Sequence, residues 1–302
     1  QKFLNNALKE KCDWVVLELT SEGSKQFRHK FIELDAFIFT NLQPEHIESH
    51  GSFEKYKQAK IDLAEGLKKK PHSILIVNED DESSKDFLSK VSASKKISYS
   101  LESYRPFKSD GSIELRLRSS TVYSKLIGEF NASNIVAAMT FADSIGINEK
   151  MIKTGIENIE VIPGRAERII SAPNFEVYVD YAHTPDSLIA LYSSFPNKTK
   201  VCILGNTGGG RDTWKRPAMA EIAEKYCDNI ILTNEDPYDE DPRKIVDEMK
   251  EGIVEKDVEV IMDRRMAINR GLKIASQKQN SVVLITGKGT DPFIMGANGT
   301  RE

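Results

Sequence analysis

The run Gly205-Asn206-Thr207-Gly208-Gly209-Gly210-Arg211-Asp212 follows an apolar stretch and precedes a helical one. At such a strand–loop–helix junction, main-chain N–H groups and the positive end of the helix dipole face the loop and hold anions. The spacing is neither G-x-G-x-x-G nor G-x-x-x-x-G-K-[ST], so the loop reads as an anion or carboxylate site, not a nucleotide fingerprint. Arg211, Lys215 and Arg216 behind the glycines favour that reading over a flexible hairpin, because guanidinium groups bind carboxylate or phosphate through paired hydrogen bonds. In Asp180-Tyr181-Ala182-His183-Thr184-Pro185-Asp186, Thr184 fits a helix N-cap, Pro185 the first helical position and Asp186 the first turn. Asp180 and His183 are not needed for the cap and stay available to a ligand. His46 and His50, four apart, share a helical face and suggest zinc, but no third ligand is identifiable. A divalent ion held jointly with a nucleotide is the better reading, since magnesium takes a few oxygen ligands plus phosphates; Glu18 and one histidine then suffice.

The elements that must position these groups are short β-rich runs alternating with helical stretches: WVVLEL, FIFTN and SILIVN, then EVYVDY, KVCILG, NIILTN, VEVIM and SVVLIT. That alternation predicts α/β architecture with parallel sheets. In such sheets ligands bind beyond the carboxyl ends of the strands, where Glu18, Asn41, Asp180, Gly205 and Gly287 fall. A polar β-like segment from Lys95 to Gly128, a helix from Asn131 to Ile145 and a shorter helix to about Ile159 separate the two sets of runs. Ile162-Pro163-Gly164 punctuates the pattern, which predicts one domain over residues 1–160 and a second over 161–302.

Bulk properties agree with a soluble two-domain protein: 302 residues, 39% hydrophobic and 29% charged, with apolar runs far too short to cross a bilayer. Gln1 to Lys11 reads as an amphipathic charged helix without the marks of an export signal. Cys12, Cys202 and Cys227 are too few and too scattered for a disulfide frame, which predicts a reducing compartment, the cytoplasm. A net charge of −4 with dispersed Lys and Arg predicts no nucleic-acid or membrane partner, and a monomer is expected.

Taken in order, LELTSEG, TNLQPEHIESHGSFEKYKQAK, GEFNASNIVAA, IPGRAERI, VDYAHTPDSL, GNTGGGRDTWKRPAM, TNEDPYDEDP and TGKGTDPF resemble the Mur ligases, most closely the E-type enzymes that extend UDP-N-acetylmuramoyl-L-alanyl-D-glutamate. The resemblance spans nearly the whole chain. It implies a central P-loop-NTPase-like, mostly parallel sheet flanked by helices, without its first strand and phosphate loop, followed by a Rossmann-like C-terminal α/β domain. It also implies ATP and Mg²⁺ as cofactors, and a UDP-muramoyl dipeptide and a free amino acid as substrates. A carboxylate is activated as an acyl phosphate and then attacked by an amine.

Matched motif by motif, Glu18 and His46 resemble the Mg²⁺-holding residues, and Lys60 the lysine that family members carry as a carbamate. Asn131 and Asn134 resemble the adenine-facing pair, Arg165 the cation on ATP phosphate, and Asp180 the carboxylate on the ribose; Lys288 would approach with Arg165 from the second domain. Thr20, Ser21 and Arg28 match positions that touch the muramoyl peptide. Arg211 matches the grip on the incoming amino acid's α-carboxylate, and Glu235, Asp236, Tyr238, Gly287 and Asp291 fall in the motifs that read that amino acid.

Two departures stand out. The phosphate loop and amino-terminal UDP-binding domain that precede the Glu18 strand in the family are absent from these residues, and the chain stops soon after TGKGTDPF, so both ends look cut and ATP hydrolysis by the chain alone is not expected. Diaminopimelate-adding members carry Asp-Asn-Pro-Arg where this chain has Glu235-Asp236-Pro237-Tyr238. Without that arginine a distal carboxylate is left unpaired, while Glu235 and Asp291 offer partners for a terminal ammonium, so L-lysine or L-ornithine is expected. The alternatives are a folylpoly-γ-glutamate or cyanophycin type of ligase, and a non-catalytic binding derivative.

Overall fold

The computed structural model describes residues 2–30, 32–44, 47–108, 111–171, 174–210 and 212–301. The chain opens with α1 (Lys2–Lys9), the expected amphipathic helix. It continues through α2 (Ser21–Lys25), β1 (Ala36–Phe39), α3 (Ile47–His50), α4 (Phe53–Ala64), β2 (Ile74–Asn78), α5 (Ser84–Lys90) and β3 (Lys95–Tyr99). Strands β1, β2 and β3 form a parallel three-stranded sheet in that order. The unbroken apolar run of β2 is required because both faces are covered. Leu75 and Val77 pack with Phe39, Ile61 and Phe87 on the α4/α5 side, while Ile76 packs with Val136 and Met139 on the other. The polar segment that follows supplies β4 (Ile113–Arg116) and β5 (Thr121–Ser124), an antiparallel hairpin. Ile113, Leu115 and Val122 of the hairpin enter the same core as α6 (Glu129–Ser144), and α7 (Glu149–Glu157) follows.

After Pro163 come β6 (Glu167–Ser171), β7 (Phe175–Val179), α8 (Pro185–Ser193), β8 (Thr199–Leu204), α9 (Lys215–Tyr226), β9 (Asn229–Leu232), α10 (Pro242–Lys250), β10 (Val258–Val260), α11 (Arg264–Ser276) and β11 (Ser281–Ile285). The sheet order is β10-β9-β8-β11-β7-β6, parallel except for β6, which runs antiparallel to β7. Alternate residues of β8 enter opposite cores: Cys202 and Leu204 meet α8, α9 and α10, whereas Val201 and Ile203 meet α11. The return of β11 into the gap between β7 and β8 gathers the carboxyl-end loops of β7, β8, β9 and β11 at one edge.

Two expectations are corrected. The run Trp14–Leu19 has strand composition but lies outside every strand, with Trp14 63% and Val16 91% exposed. A strand exists only as a ladder partner, and among the described residues no ladder takes this run up; Trp14 instead meets Phe141 edge-on, with ring centres 6.1 Å apart. Second, Cys202 and Cys227 are joined in a disulfide, with Cα atoms 6.1 Å apart. Helix α9 carries the chain back from the end of β8 to its start, where Asp228 N–H donates to the Lys200 carbonyl, so a separation of 25 residues is closed by topology. The cysteines therefore do not argue for a reducing compartment. Among the described residues, no helix is long and apolar enough to cross a membrane.

Candidate functional site

The helix after β7 begins as its sequence requires. Thr184 caps α8 in a reciprocal box with Ser187, and Pro185 takes the first turn. Asp180, at the end of β7, is buried and committed: its two oxygens accept the main-chain N–H groups of Ala182 and Ala166, each at 2.6 Å. The carboxylate thus fastens the Gly164–Ala166 turn to the sheet, and burial raises its pKa despite these bonds. Gly164 makes that turn possible, since a Cβ there would stand 2.6 Å from Thr290 N. Arg165 is exposed, its guanidinium 4.5 Å over the Tyr181 ring, and His183 Nδ1 lies 2.8 Å from the Tyr181 carbonyl.

The glycine loop after β8 corrects its sequence reading. Gly208 N–H donates to the Asp236 carbonyl and Gly210 N–H to Glu240 Oε1, so two of the amides expected to hold a ligand are used internally. Arg216, only 1% exposed, binds Glu240 and Glu248, and Lys215 lies 3.1 Å from Asp212 Oδ2. The carboxylate in this cradle is Glu240, from the chain itself. Burial opposes its charge, but Gly210 N–H and Arg216 outweigh that and hold its carboxyl below the ordinary range. Arg211 lies outside the described residues.

Two neighbouring loops build a second charged cluster. Lys288 Nζ stands 2.7 Å from both oxygens of Asp236 and 3.0 Å from Asp291 Oδ2, and these carboxylates outweigh burial and raise its pKa. Lys288, expected to approach the site from the second domain, and Asp291, expected to pair with an ammonium, bind each other. Asp236 also accepts Met295 N–H, and half-buried Tyr238 donates its N–H to the Met295 carbonyl. Glu235 differs. It is 2% exposed, its Oε1 accepts the Thr207 hydroxyl at 3.0 Å, and its Oε2 has no hydrogen-bond partner. Burial raises its pKa against the attraction of Arg264 and His183. Of the two carboxylates expected to receive an ammonium, Asp291 has both oxygens engaged, by Lys288 and by Phe293 N–H, whereas Glu235 keeps one oxygen that accepts no hydrogen bond from the described residues.

In the first half, Thr20 caps α2 by accepting Gly23 N–H, and Ser21 is buried with its hydroxyl unpartnered. Arg28 is exposed, with its Cδ 3.9 Å from where a Cβ on Gly23 would stand. Glu18 is exposed, and Lys60 Nζ donates to the main-chain carbonyl of the next residue, Leu19, at 3.3 Å. His46 lies outside the described residues; buried His50 meets Glu22 at 3.6 Å and the Tyr56 ring. Among the described residues, which do not include His46, no group of three His, Cys, Asp or Glu could hold a metal. Asn131 and Asn134 part company on α6: Asn131 is buried and donates to the Ile127 carbonyl, while Asn134 is exposed. A cavity of about 580 Å³ beside Tyr104, Arg105, Arg118 and Asp143 contains none of these residues.

Sequence reasoning passed over Thr207, Glu240 and Arg264. Arg264 begins the helix after VEVIM, a strand end like those that flagged the other candidates, so the same rule would have found it.

Two family models match the chain: Mur ligase middle domain over residues 1–142, and Mur ligase, glutamate ligase domain over residues 164–289. A UDP-N-acetylmuramoyl-L-alanyl-D-glutamate–2,6-diaminopimelate ligase of Fusobacterium nucleatum is 33% identical over 303 residues, covering 97% of this chain and 62% of the relative. UDP-N-acetylmuramyl-tripeptide synthetase 2 of Oceanobacillus iheyensis is 32% identical over 311 residues, with coverage of 97% and 62%. A solved UDP-N-acetylmuramoyl-L-alanyl-D-glutamate–2,6-diaminopimelate ligase superposes with a TM-score of 0.57 at 29% identity, covering 99% of this chain and 64% of that one. The chain thus spans under two thirds of the length of these relatives. With both family models in chain order and this likeness along nearly all its length, the chain belongs to the Mur ligase family, of which it carries the middle and glutamate ligase domains.

Proposed function

We propose that the protein containing this chain is an ATP- and Mg²⁺-dependent amide ligase of peptidoglycan precursor synthesis, joining a diamino acid to UDP-N-acetylmuramoyl-L-alanyl-D-glutamate, with the domains meeting near Pro163. The observation that carries it is Glu235: a buried carboxylate with one open oxygen, among the gathered loops of the glutamate ligase domain, suits a substrate ammonium. ATP supplies the phosphoryl group that activates the acceptor carboxylate. Exposed Arg165 is the cation offered to its phosphates, Asp180 offers its remaining lone pairs to the ribose, with His183 beside it, and Asn134 offers the adenine both donor and acceptor. Asn131 would contribute its amide oxygen and one N–H, since its other N–H is donated to the Ile127 carbonyl.

For the metal, Lys60 reaches the main-chain carbonyl of Leu19, one residue from Glu18, and as a carbamate it would join Glu18 as a second hard oxygen donor, which fits Mg²⁺; His46 would complete the set. Ser21 and Arg28 would meet the muramoyl peptide, with Thr20 shaping their turn, and Arg211 the amino acid's α-carboxylate. Use of ATP argues for a cytoplasmic enzyme, and we expect it to act as a monomer.

The names of the Fusobacterium nucleatum relative and of the solved ligase carry 2,6-diaminopimelate, that of the Oceanobacillus iheyensis relative names no amino acid, and none of the three supports another one. What favours L-lysine or L-ornithine is local: Tyr238 stands where an arginine would pair a distal carboxylate, and Lys288 is held by Asp236 and Asp291. The test is phosphate release by the complete gene product with ATP, Mg²⁺, the UDP-muramoyl dipeptide and each amino acid. Lysine or ornithine should be fastest. Faster turnover with diaminopimelate removes the preference, and no amino-acid-dependent release with any of the three removes the ligase.

A further inference from the structure

We propose that Arg264 is the positioning residue of the amino-acid site, tying together the two loops that frame Glu235 and supplying the opposite charge that keeps this carboxylate ready for an ammonium. The proposal rests on the functional reading above. Arg264 starts α11, after the N-cap Asp263, and reaches back across the sheet edge. Its Nη1 donates to the Asn234 carbonyl at 3.3 Å and its Nη2 to the Thr286 carbonyl at 2.5 Å. Asn234 immediately precedes Glu235, and Thr286 immediately precedes Gly287. Glu235 Oε2 occupies the space a side chain at 287 would take, 1.9 Å from a Cβ built there. One planar fork therefore sets the distance between the residue that bears the charge and the residue that makes room for it.

Glu235 is faced from every packed element. Thr207 comes from the β8 loop, His183 from the β7 loop, Gly287 from the β11 loop and Arg264 from α11; Asp236 is its own neighbour in the β9 loop. Asp236 repels it, but Lys288 binds Asp236. Arg264 donates to main-chain carbonyls, so it attracts Glu235 through space and leaves the buried Oε2 without a hydrogen-bond partner among the described residues. A direct ion pair would fill the acceptor that the substrate needs. A cation held one step away favours the charged carboxylate without blocking it.

The test uses the chain as it stands, with ¹³C-carboxyl-labelled glutamate, and follows Glu235 by NMR in wild type, Arg264→Gln, Arg264→Lys and the neighbouring control Arg265→Gln. Arg264→Gln keeps a donor for the carbonyls but removes the charge, and should raise the Glu235 midpoint by about one pH unit. Arg264→Lys and Arg265→Gln should leave it near wild type. In parallel, calorimetry with L-lysine and with meso-diaminopimelate at pH 7 should show about tenfold weaker binding to Arg264→Gln and less than threefold change for Arg264→Lys. An unmoved midpoint in folded Arg264→Gln, or equal shifts in the Gln and Lys variants, overturns the role of Arg264. If neither amino acid binds wild type while the midpoints behave as expected, the functional reading fails and the electrostatic role stands. If Arg264→Gln does not fold, a wild-type midpoint and wild-type binding in Arg264→Lys support the proposal, and a shift there overturns it.

Discussion

A Cβ added at Gly287 would stand 1.9 Å from Glu235 Oε2, so the glycine is the space that the carboxylate fills. Gly287 also has φ +97°, a backbone conformation that L side chains rarely adopt. Gly287→Ala should therefore cost about 2 kcal/mol or more in urea denaturation and abolish L-lysine binding measured by calorimetry. Gly155, within α7 and with open space around it, is the control. Alanine there should stabilise by up to about 1 kcal/mol.

Glu235→Gln should separate stability from function. The folded carboxyl has its pKa raised above the ordinary 4.5, so it binds protons more readily than in the unfolded chain. Its contribution is then fully present below about pH 4.5 and is lost as pH rises through the folded value. The glutamine variant lacks that loss. It should match wild type near pH 4 and exceed it by roughly 1–3 kcal/mol at pH 8, while losing the ammonium partner. Thermal unfolding across that range reads the first effect and lysine calorimetry the second.

Arg216→Met leaves Glu240 and Glu248 without their shared cation inside the fold. Arg216 is 1% exposed but its partners are 25% and 30% exposed, so the cost should fall between that of a surface pair and that of a fully buried one, roughly 1–4 kcal/mol. Because Gly210 N–H shares Glu240 with Arg216, hydrogen exchange at Gly210 should quicken in the variant, while amides of β2 stay protected. Unchanged exchange at Gly210 would show that the glycine loop holds its shape without this network.

Reduction of the Cys202–Cys227 bond should lower stability by about 3.5 kcal/mol, the chain-entropy expectation for a loop of this length, which spans 25 residues. Urea denaturation with and without dithiothreitol measures the difference. Both sulfurs are buried, so reduction should be slow in the folded protein and quick once urea opens it. Exposed Cys12 should react with a thiol reagent under either condition.

The alternation of elements and the loops in which chemistry belongs were legible in the amino-acid order alone. Apolar runs such as Ile74–Asn78 and Ser281–Ile285 can be satisfied only between helical layers, and Thr184-Pro185 can only begin a helix. Family membership was legible there too, because eight ordered motifs survive as local strings. Tertiary structure alone decided which side chains were spent and which were left. Lys215, Arg216, Lys288 and Asp291 read as ligand groups, yet each is engaged by another part of the chain. Trp14–Leu19 has the composition of a strand without the partner that makes one, and Cys202 meets Cys227 only because α9 doubles back along β8. The reason is common to all of these. Composition and periodicity are local, whereas a hydrogen bond, a ladder or a disulfide needs a second group brought near by the fold, and that is how Glu235 is left with one open oxygen and Arg264 stands behind it.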